Sequence, residues 1–244
     1  MQLLCDFHVH SCLSPCASLD ASPAAIARAA KAAGLDAVAL VDHNSALNVP
    51  AFDACCRREG IRALFGMEIC SSEEIHCLAL FESPEAAIGL GAFIHDCLPD
   101  FRNVPDKLGD QPVVDENDVV LELVDRYLGN ATCLRFSELP GLVAAHGGLF
   151  VPAHVDRPSF SLLSQLGTIP PEAGPILEIT SRRLPEMRAR YGDSHCLLSF
   201  SDAHHPSEIG RAATLVDAES FSLHALRAAF LARRVSSVLR PQDI

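Results

Sequence analysis

The sequence lacks a long apolar run and has few basic residues. No stretch approaches the roughly eighteen apolar residues of a membrane span, and Asp6 occurs before a signal peptide's apolar segment could form. We therefore expect no membrane partner and a cytoplasmic location. The chain has 19 Lys and Arg against 31 Asp and Glu, a formal net charge of −12, whereas a general nucleic-acid binder needs a basic surface. We expect no extended nucleic acid as a partner.

The ten cysteines do not form the pattern of a disulfide framework. Such frameworks occur in small secreted domains, whereas these cysteines are scattered through 244 residues, often beside apolar ones. We interpret them as buried free thiols. With 49% hydrophobic and 20% charged residues, the chain is too apolar for a disordered protein and long enough to bury a sizeable core.

Strand-like and helix-like segments alternate along most of the chain. A first strand is predicted over 3–10, and helices follow at 23–33 and 49–59, each with Pro near its start and Gly after its end. Two β-like runs, 61–69 and 74–81, come next. The remaining predicted segments are strands at 36–41, 149–155, 176–179 and 196–200 and helices at 84–97, 137–146, 160–166, 183–190 and 221–233. Repeated strand–helix units favour a mainly parallel sheet, and about seven of them suggest closure into an α/β barrel.

A polar stretch at about 99–130 interrupts this alternation. It contains the acidic run 115–118 between two short apolar segments, and we interpret that run as a solvated turn because it lacks the ligand spacing of an EF-hand. No linker divides the chain. We therefore predict one domain, residues 1–244, with an insertion at about 99–130 that acts as a lid selecting the substrate.

Histidines and carboxylates recur where the predicted strands end. Asp6, His8 and His10 alternate along the first strand, so their side chains share one face. Polar groups inside a closed sheet need partners, and two imidazoles at a strand end commonly hold a divalent metal. Five further clusters are Asp42-His43-Asn44, Glu68, His76, His154-Val155-Asp156-Arg157 and Asp202-Ala203-His204. Barrel enzymes assemble their sites at the carboxyl ends of strands, so we expect these clusters to converge, although His76 lies early in its run.

These motifs resemble, in order and over nearly the whole chain, the polymerase-and-histidinol-phosphatase (PHP) superfamily of metal-dependent phosphoesterases. The matching motifs are Asp6-Phe7-His8-Val9-His10, Val41-Asp42-His43-Asn44, Gly66-Met67-Glu68, His76, Ala153-His154 and Ser201-Asp202-Ala203-His204. The resemblance implies an α/β fold, a distorted (β/α)7 TIM-like barrel, with two or three divalent ions, commonly zinc, manganese or iron. We expect a free-standing member rather than a polymerase module.

The resemblance also implies which residues hold the ions. The three implied ligand sets are His8, His10, Glu68 and Asp202; Glu68, His76 and His154; and His43 and His204 with one further ligand from the loop after His10. In that loop this chain has Ser14-Pro15-Cys16, where many relatives have Ser-Asp-Gly or a His. Cys16 is either a thiolate ligand, which would favour zinc, or a plain turn cysteine, and its spacing does not decide.

The reaction we expect is hydrolysis of a phosphomonoester or small phosphodiester by a metal-bound hydroxide, with a small phosphorylated molecule as substrate. The residues predicted to act in catalysis are Glu68, Asp202, His204 and Arg157. Arg157 is either a clamp for phosphate oxygens or the salt-bridge partner of Asp156 or another surface acid. Asp6 and Asp42 lie beside candidate ligands, so we expect them to orient imidazoles.

Two other classes of protein share some of these features. An amidohydrolase-type barrel also begins with a His-x-His strand, but such sites often use a carboxylated Lys, and the chain has only Lys31 in the first helix and Lys107 in the insertion. A non-catalytic, metal-binding regulatory barrel would often have lost ligands. Only the position of Cys16 departs from the full set, which favours the phosphoesterase. The oligomeric state is left open.

Overall fold

The structure is a computed structural model that describes residues 1–239. Its strands are β1 (Gln2–Val9), β2 (Ala37–Leu40), β3 (Arg62–Cys70), β4 (His76–Phe81), β5 (Pro112–Val114), β6 (Val120–Leu123), β7 (Leu149–Pro152), β8 (Ile176–Glu178), β9 (Cys196–Leu198), β10 (Ala212–Asp217) and β11 (Val235–Leu239). Its α-helices are α1 (Pro23–Ala32), α2 (Val49–Glu59), α3 (Pro84–Asp96), α4 (Pro105–Leu108), α5 (Leu139–Ala145), α6 (Leu162–Leu166), α7 (Leu184–Tyr191) and α8 (Leu223–Leu231).

The helix ends follow the sequence signals. The hydroxyl of Ser22 accepts a hydrogen bond from the backbone N–H of Ala25, and Pro23 occupies the first turn of α1, where its missing N–H costs nothing. Helix α2 ends at Gly60, whose φ of 67° is the left-handed conformation that glycine adopts without strain. No helix among the described residues is long and apolar enough to cross a membrane.

Seven strands form one curled sheet in the order β11-β10-β1-β2-β3-β4-β7. This confirms the α/β, barrel-like fold, but the sheet is mixed rather than mainly parallel. Neighbours β1, β2 and β3 are parallel, whereas the other four neighbouring pairs are antiparallel. The connection from β3 to β4 is a short turn without a crossover helix, so it reverses the chain. Strands β10 and β11 were not predicted, and they add the antiparallel edge.

A separate parallel pair, β8 and β9, extends the curl of the sheet. The N–H of Val155, just after β7, donates to the carbonyl of Glu178 on β8 at 2.9 Å. After β9 the chain reaches Ala203, whose carbonyl accepts from the N–H of His10 at 2.9 Å. The carboxyl ends of β1, β7, β8 and β9 therefore meet at one place.

The segment 99–130 contains α4 and the antiparallel hairpin of β5 and β6. It packs on the loop after β1 through an apolar cluster that includes Leu13, Val113 and Leu128. The fully buried amide of Asn48 joins the same elements, because it donates to Ser11 Oγ at 3.0 Å and accepts from the N–H of Val114 at 2.9 Å. This segment is thus fixed to the loop that carries Cys16.

Candidate metal centre

The structure brings together eight of the residues predicted to bind metal. They are His8, His10, His43, Glu68, His76, His154, Asp202 and His204, hereafter the ligand group. All except His204 are buried. Their ligand atoms form four overlapping sets, in each of which the atoms lie within 4.8 Å of one another. The prediction that the strand-end clusters converge is confirmed.

Glu68 lies at the centre of the ligand group, with both carboxylate oxygens facing imidazoles. Oε1 lies 3.0 Å from His154 Nε2, 3.1 Å from His76 Nδ1 and 3.3 Å from His8 Nε2, and Oε2 lies 3.1 Å from His43 Nδ1 and 3.4 Å from His10 Nε2. Burial alone would raise the pKa of Glu68, but the charges of His76 and His8 and hydrogen bonds from other imidazoles hold it well below its usual range. Glu68 is therefore ionised.

The spacing at His8, His10 and Asp202 fits a divalent ion. Two ligands about 2.0–2.1 Å from a tetrahedral zinc lie roughly 3.3–3.4 Å apart. Nε2 of His8 lies 3.2 Å from Nε2 of His10, and each nitrogen lies 3.3 Å from Asp202 Oδ1. Burial and the neighbouring His204 keep the pKa of His10 well below its usual value, which favours the neutral imidazole that binds metal.

A candidate ligand atom of this group lacks a hydrogen-bond partner in the described part of the chain. Nδ1 of His76 is buried and has no hydrogen-bond partner among residues 1–239, although Glu68 lies beside it. A buried polar atom without a partner is costly, and a cation shared with Glu68 would remove that cost. The donor set of imidazoles and carboxylates therefore fits divalent metal binding.

Three residues at the ligand group have strained backbone conformations. Asn44, His154 and Asp202 have φ values of 49°, 27° and 50°, in the left-handed region that side chains other than glycine rarely adopt. Two of them are candidate ligands and the third follows His43. Such strain persists only where surrounding contacts impose it, and it is concentrated at functional sites.

Cys16 lies beside His43 and His204, the latter being the one partly exposed member of the ligand group. Desolvation acts to raise the pKa of its thiol, but hydrogen bonds with His204 and His43 outweigh it and lower the pKa to about 6. The residue as a whole is exposed, so the thiol reaches the imidazoles from the solvent side. The thiol thus faces His43 and His204, although the ligand atoms that lie within 4.8 Å of one another there are those of His10, His43 and His204 and do not include the sulfur.

Arg157 reaches the ligand group, but it does not pair with Asp156. Its Nη2 lies 2.5 Å from Asp202 Oδ2, and its side chain remains 39% exposed. Asp156 instead accepts hydrogen bonds from the N–H and the hydroxyl of Thr180, at 2.8 and 2.7 Å. Arg157 therefore pairs with an acid, but with Asp202 of the ligand group rather than with Asp156, and its exposed side leaves contact with a substrate phosphate possible.

Asp6 and Asp42 do not orient imidazoles directly, contrary to expectation. Asp6 accepts from the backbone N–H groups of Ser201 and Gly210 and so fixes the loop that carries Asp202. Asp42 accepts from the hydroxyl of Ser14 at 2.7 Å, and that hydroxyl lies 3.1 Å from Nδ1 of His10. A carboxylate one or two residues from a ligand can therefore bind backbone N–H groups and hydroxyls instead.

Glu178 was missed by the sequence reasoning. Its Oε2 accepts from Nδ1 of His8 at 2.8 Å and from the N–H of His154 at 3.2 Å, and the residue is almost fully buried. Burial lowers the pKa of His8, but Glu178, Asp202 and Glu68 raise it well above its usual value. The available signal was a lone carboxylate in the apolar strand 176–179.

Comparison with known proteins gives a family and a fold. The model of the PHP domain family matches residues 6–164, and a PHP-associated model matches residues 200–235. Comparison with curated protein sequences gave no match.

Several solved structures are similar. The lesion-specific endonuclease Q of Pyrococcus furiosus superposes with a TM-score of 0.67 at 19% identity, over 95% of this chain and 56% of that one. A two-domain protein from Bacteroides vulgatus containing a predicted PHP-like metal-dependent phosphoesterase gives 0.60 at 20% identity, over 98% and 65%. An amidohydrolase from Chromobacterium violaceum with bound sulfate gives 0.59 at 20% identity, over 98% of each chain. The chain thus spans under two thirds of the first two proteins.

These similarities correct one expectation. A second similar structure, at 18% identity, shows endonuclease Q in complex with a 27-mer duplex that has an abasic lesion at the active site. The exclusion of an extended nucleic acid, and with it the restriction to small phosphorylated partners, was therefore wrong. Net charge averages over the whole surface and does not determine the local potential at a site.

Proposed function

The chain belongs to the PHP domain family, and from this premise we propose that it hydrolyses phosphoester bonds with the help of divalent metal ions held by the ligand group. The position of Glu68 carries the proposal. Both of its oxygens face imidazoles at 3.0–3.4 Å, which suits a carboxylate that bridges two ions. Zinc, manganese and iron are the ions we consider, because nitrogen and carboxylate ligands accept all three.

We propose two or three ions and assign the ligands as follows. The sets are His8, His10, Glu68 and Asp202; Glu68, His76 and His154; and His43 and His204 together with Cys16. His10 also lies within reach of His43 and His204, and His8 lies within reach of His154. His43 lies within reach of His76, so each of these three imidazoles could be shared between two sets. Two cations close together, when bound, lower the pKa of a water and neutralise charge on phosphoryl oxygens.

The protein's own groups then position the phosphate. Arg157 is exposed on one side and held at Asp202 on the other, so its guanidinium can grip two oxygens at the edge of the ligand group. Nδ1 of His204 lies in hydrogen-bond contact with the carbonyl oxygen of Asp202, at 2.9 Å. Nε2, the other nitrogen of the ring, therefore points away from that carbonyl. We assign His204 and Arg157, with Glu68 and Asp202, to the catalytic machinery.

The segment 99–130 forms a further part of this proposal. The amide of Asn44 donates to the carbonyls of Leu128 and Asn130 at 2.8 and 2.9 Å, and Asn44 follows His43 directly. We propose that this insertion in an otherwise single domain is a wall of the site that limits which esters enter. Phosphoesters at the ends or lesions of nucleic acids are among the substrates to be tested against such a wall.

The test is turnover of a panel of phosphomonoesters, small phosphodiesters, a lesion-containing duplex and an N-acyl amide, each with manganese and with zinc. We expect hydrolysis of at least one phosphoester and none of the amide. Glu68→Ala should abolish that activity while the circular dichroism spectrum is retained. The amidohydrolase alternative predicts amide turnover, and a regulatory barrel predicts metal binding with no turnover. Both lysines, Lys31 of α1 and Lys107 of α4, are exposed, whereas the ligand group is largely buried, which is why we favour the phosphoesterase.

A further inference from the structure

A cavity of about 410 Å³ opens beside the ligand group, on the side of Asp202 and His154. Residues 180–182 and Arg211 also line this cavity. Sites for small molecules start at roughly 300 Å³, so the space exceeds what a single phosphate group requires. Whatever binds at the ligand group has room to extend in this direction.

Three guanidinium groups line the cavity, those of Arg157, Arg182 and Arg211. Two carboxylates also line it. Glu178 is directed to His8, and Asp202 contacts His8, His10 and Arg157. Arg157 is assigned to the first phosphate, which leaves Arg182 and Arg211 for a further anion.

Arg182 and Arg211 differ in how they are held. Arg211 donates through Nε to the carbonyl of Ser201 at 3.2 Å and pairs through Nη1 with Glu208 at 2.7 Å, which leaves Nη2 without a described partner. Arg182 is exposed, and its side chain makes no ion pair or hydrogen bond within residues 1–239. The hydroxyl of Ser181 beside it also has no partner there. Nη2 of Arg211, the guanidinium of Arg182 and the hydroxyl of Ser181 are therefore available to bind an anion.

We infer that the cavity binds a second phosphate group of the substrate, held by Arg182 and Arg211 while the first phosphate lies at the ligand group. The inference rests on the proposed function, since it names the class of phosphoester that the site takes. A guanidinium suits this role because it presents several donors in a plane that matches phosphate oxygens. The second phosphate belongs either to a small bisphosphate or to the next nucleotide of a strand.

Binding of non-hydrolysable probes tests this inference without turnover. Propane-1,3-bisphosphonate carries two phosphonate groups and propylphosphonate carries one, and calorimetry on the zinc-loaded protein measures both affinities. We expect the bisphosphonate to bind at least about tenfold more tightly, and Arg182→Ala to reduce that preference about tenfold, the effect of one lost charge-assisted hydrogen bond. Arg28→Ala, which removes an exposed arginine of α1, should leave the preference unchanged.

A tetranucleotide provides the second arm. If Arg182→Ala weakens the tetranucleotide but not the bisphosphonate, the second phosphate belongs to a strand, and the reverse result assigns it to a small molecule. If Arg182→Ala weakens neither of them, as expected for Arg28→Ala, the inference is overturned. The absence of turnover on every phosphoester would contradict the proposed function instead, since the binding comparison does not depend on turnover.

Discussion

Oε2 of Glu178 lies 2.8 Å from Nδ1 of His8, and both residues are almost fully buried. The hydrogen bond fixes the ring so that Nε2 points toward Glu68 and Asp202. A carboxylate behind a ligand imidazole sets its tautomer and raises its basicity. Glu178 is therefore a positioning residue of the metal centre, although it is not itself in the ligand group.

Replacing Glu178 should weaken metal binding. Glu178→Gln removes the charge behind His8 and keeps the size of the side chain, so we expect zinc affinity to fall about 10–100-fold. Competition with a chromophoric chelator measures the affinity. Glu219→Gln, a matched change at an exposed position, should bind zinc as the unmodified protein does. Equal zinc affinities for the two variants would show that Glu178 does not position the metal centre.

In the metal-free protein, Cys16 should be the thiol that iodoacetamide alkylates at the lowest pH. Its lowered pKa of about 6 means that the thiolate is present above that pH and is lost below it. Labelling by iodoacetamide should rise through about pH 6 and disappear in Cys16→Ser but not in Cys133→Ser, although Cys133 is also exposed. If Cys16 is a ligand, stoichiometric zinc blocks the labelling. Undiminished labelling would favour the plain turn cysteine.

Asn44 should stabilise the fold through its side chain and not through its unusual backbone. Its amide makes three hydrogen bonds, to Leu128, Asn130 and the N–H of Cys70, so Asn44→Gly should lower the free energy of unfolding by about 2–3 kcal/mol. Asn44→Ala should lose roughly 1 kcal/mol more, because a Cβ is strained at a φ of 49°. Urea denaturation measures both, with the exposed Asn117→Ala as the near-neutral control.

Arg157 should act on the substrate more than on the fold. We expect Arg157→Ala to lower kcat/KM for a phosphoester about 100-fold, and Arg157→Lys to recover only part of that loss, because an ammonium cannot grip two oxygens at once. Steady-state kinetics measures the effect, and the midpoint of thermal unfolding should move little. A kcat/KM within about twofold of the unmodified protein's, as for Arg28→Ala, would return Arg157 to a surface role.

Much of the ligand group could be predicted because its histidines and carboxylates recur with the two-residue period of a β-strand. His8 and His10 are two residues apart on a buried strand, and the same spacing recurs at Asp202 and His204. The carboxyl ends of neighbouring strands lie together, so residues distant in sequence converge. Glu68 could be singled out as the bridge only because the resemblance to a family assigned it that role.

What escaped prediction depends on pairings that no local pattern encodes. A single Glu at 178 looks like an ordinary strand residue until His8, 170 positions earlier, is placed against it. Asp6 and Asp42 were assigned to imidazoles because they are neighbours in sequence, yet they bind backbone N–H groups and hydroxyls. The direction of β4 could have been read from its short connection to β3, whereas β10 and β11 carried too weak a signal.

The amount of divalent metal bound by the purified protein tests the central claim most directly. Plasma mass spectrometry on the folded protein should find two or three equivalents of zinc, manganese or iron per chain, and Glu68→Ala should lose at least the ion that this carboxylate bridges. A folded, unmodified protein that holds less than one equivalent after incubation with these metals would contradict the account.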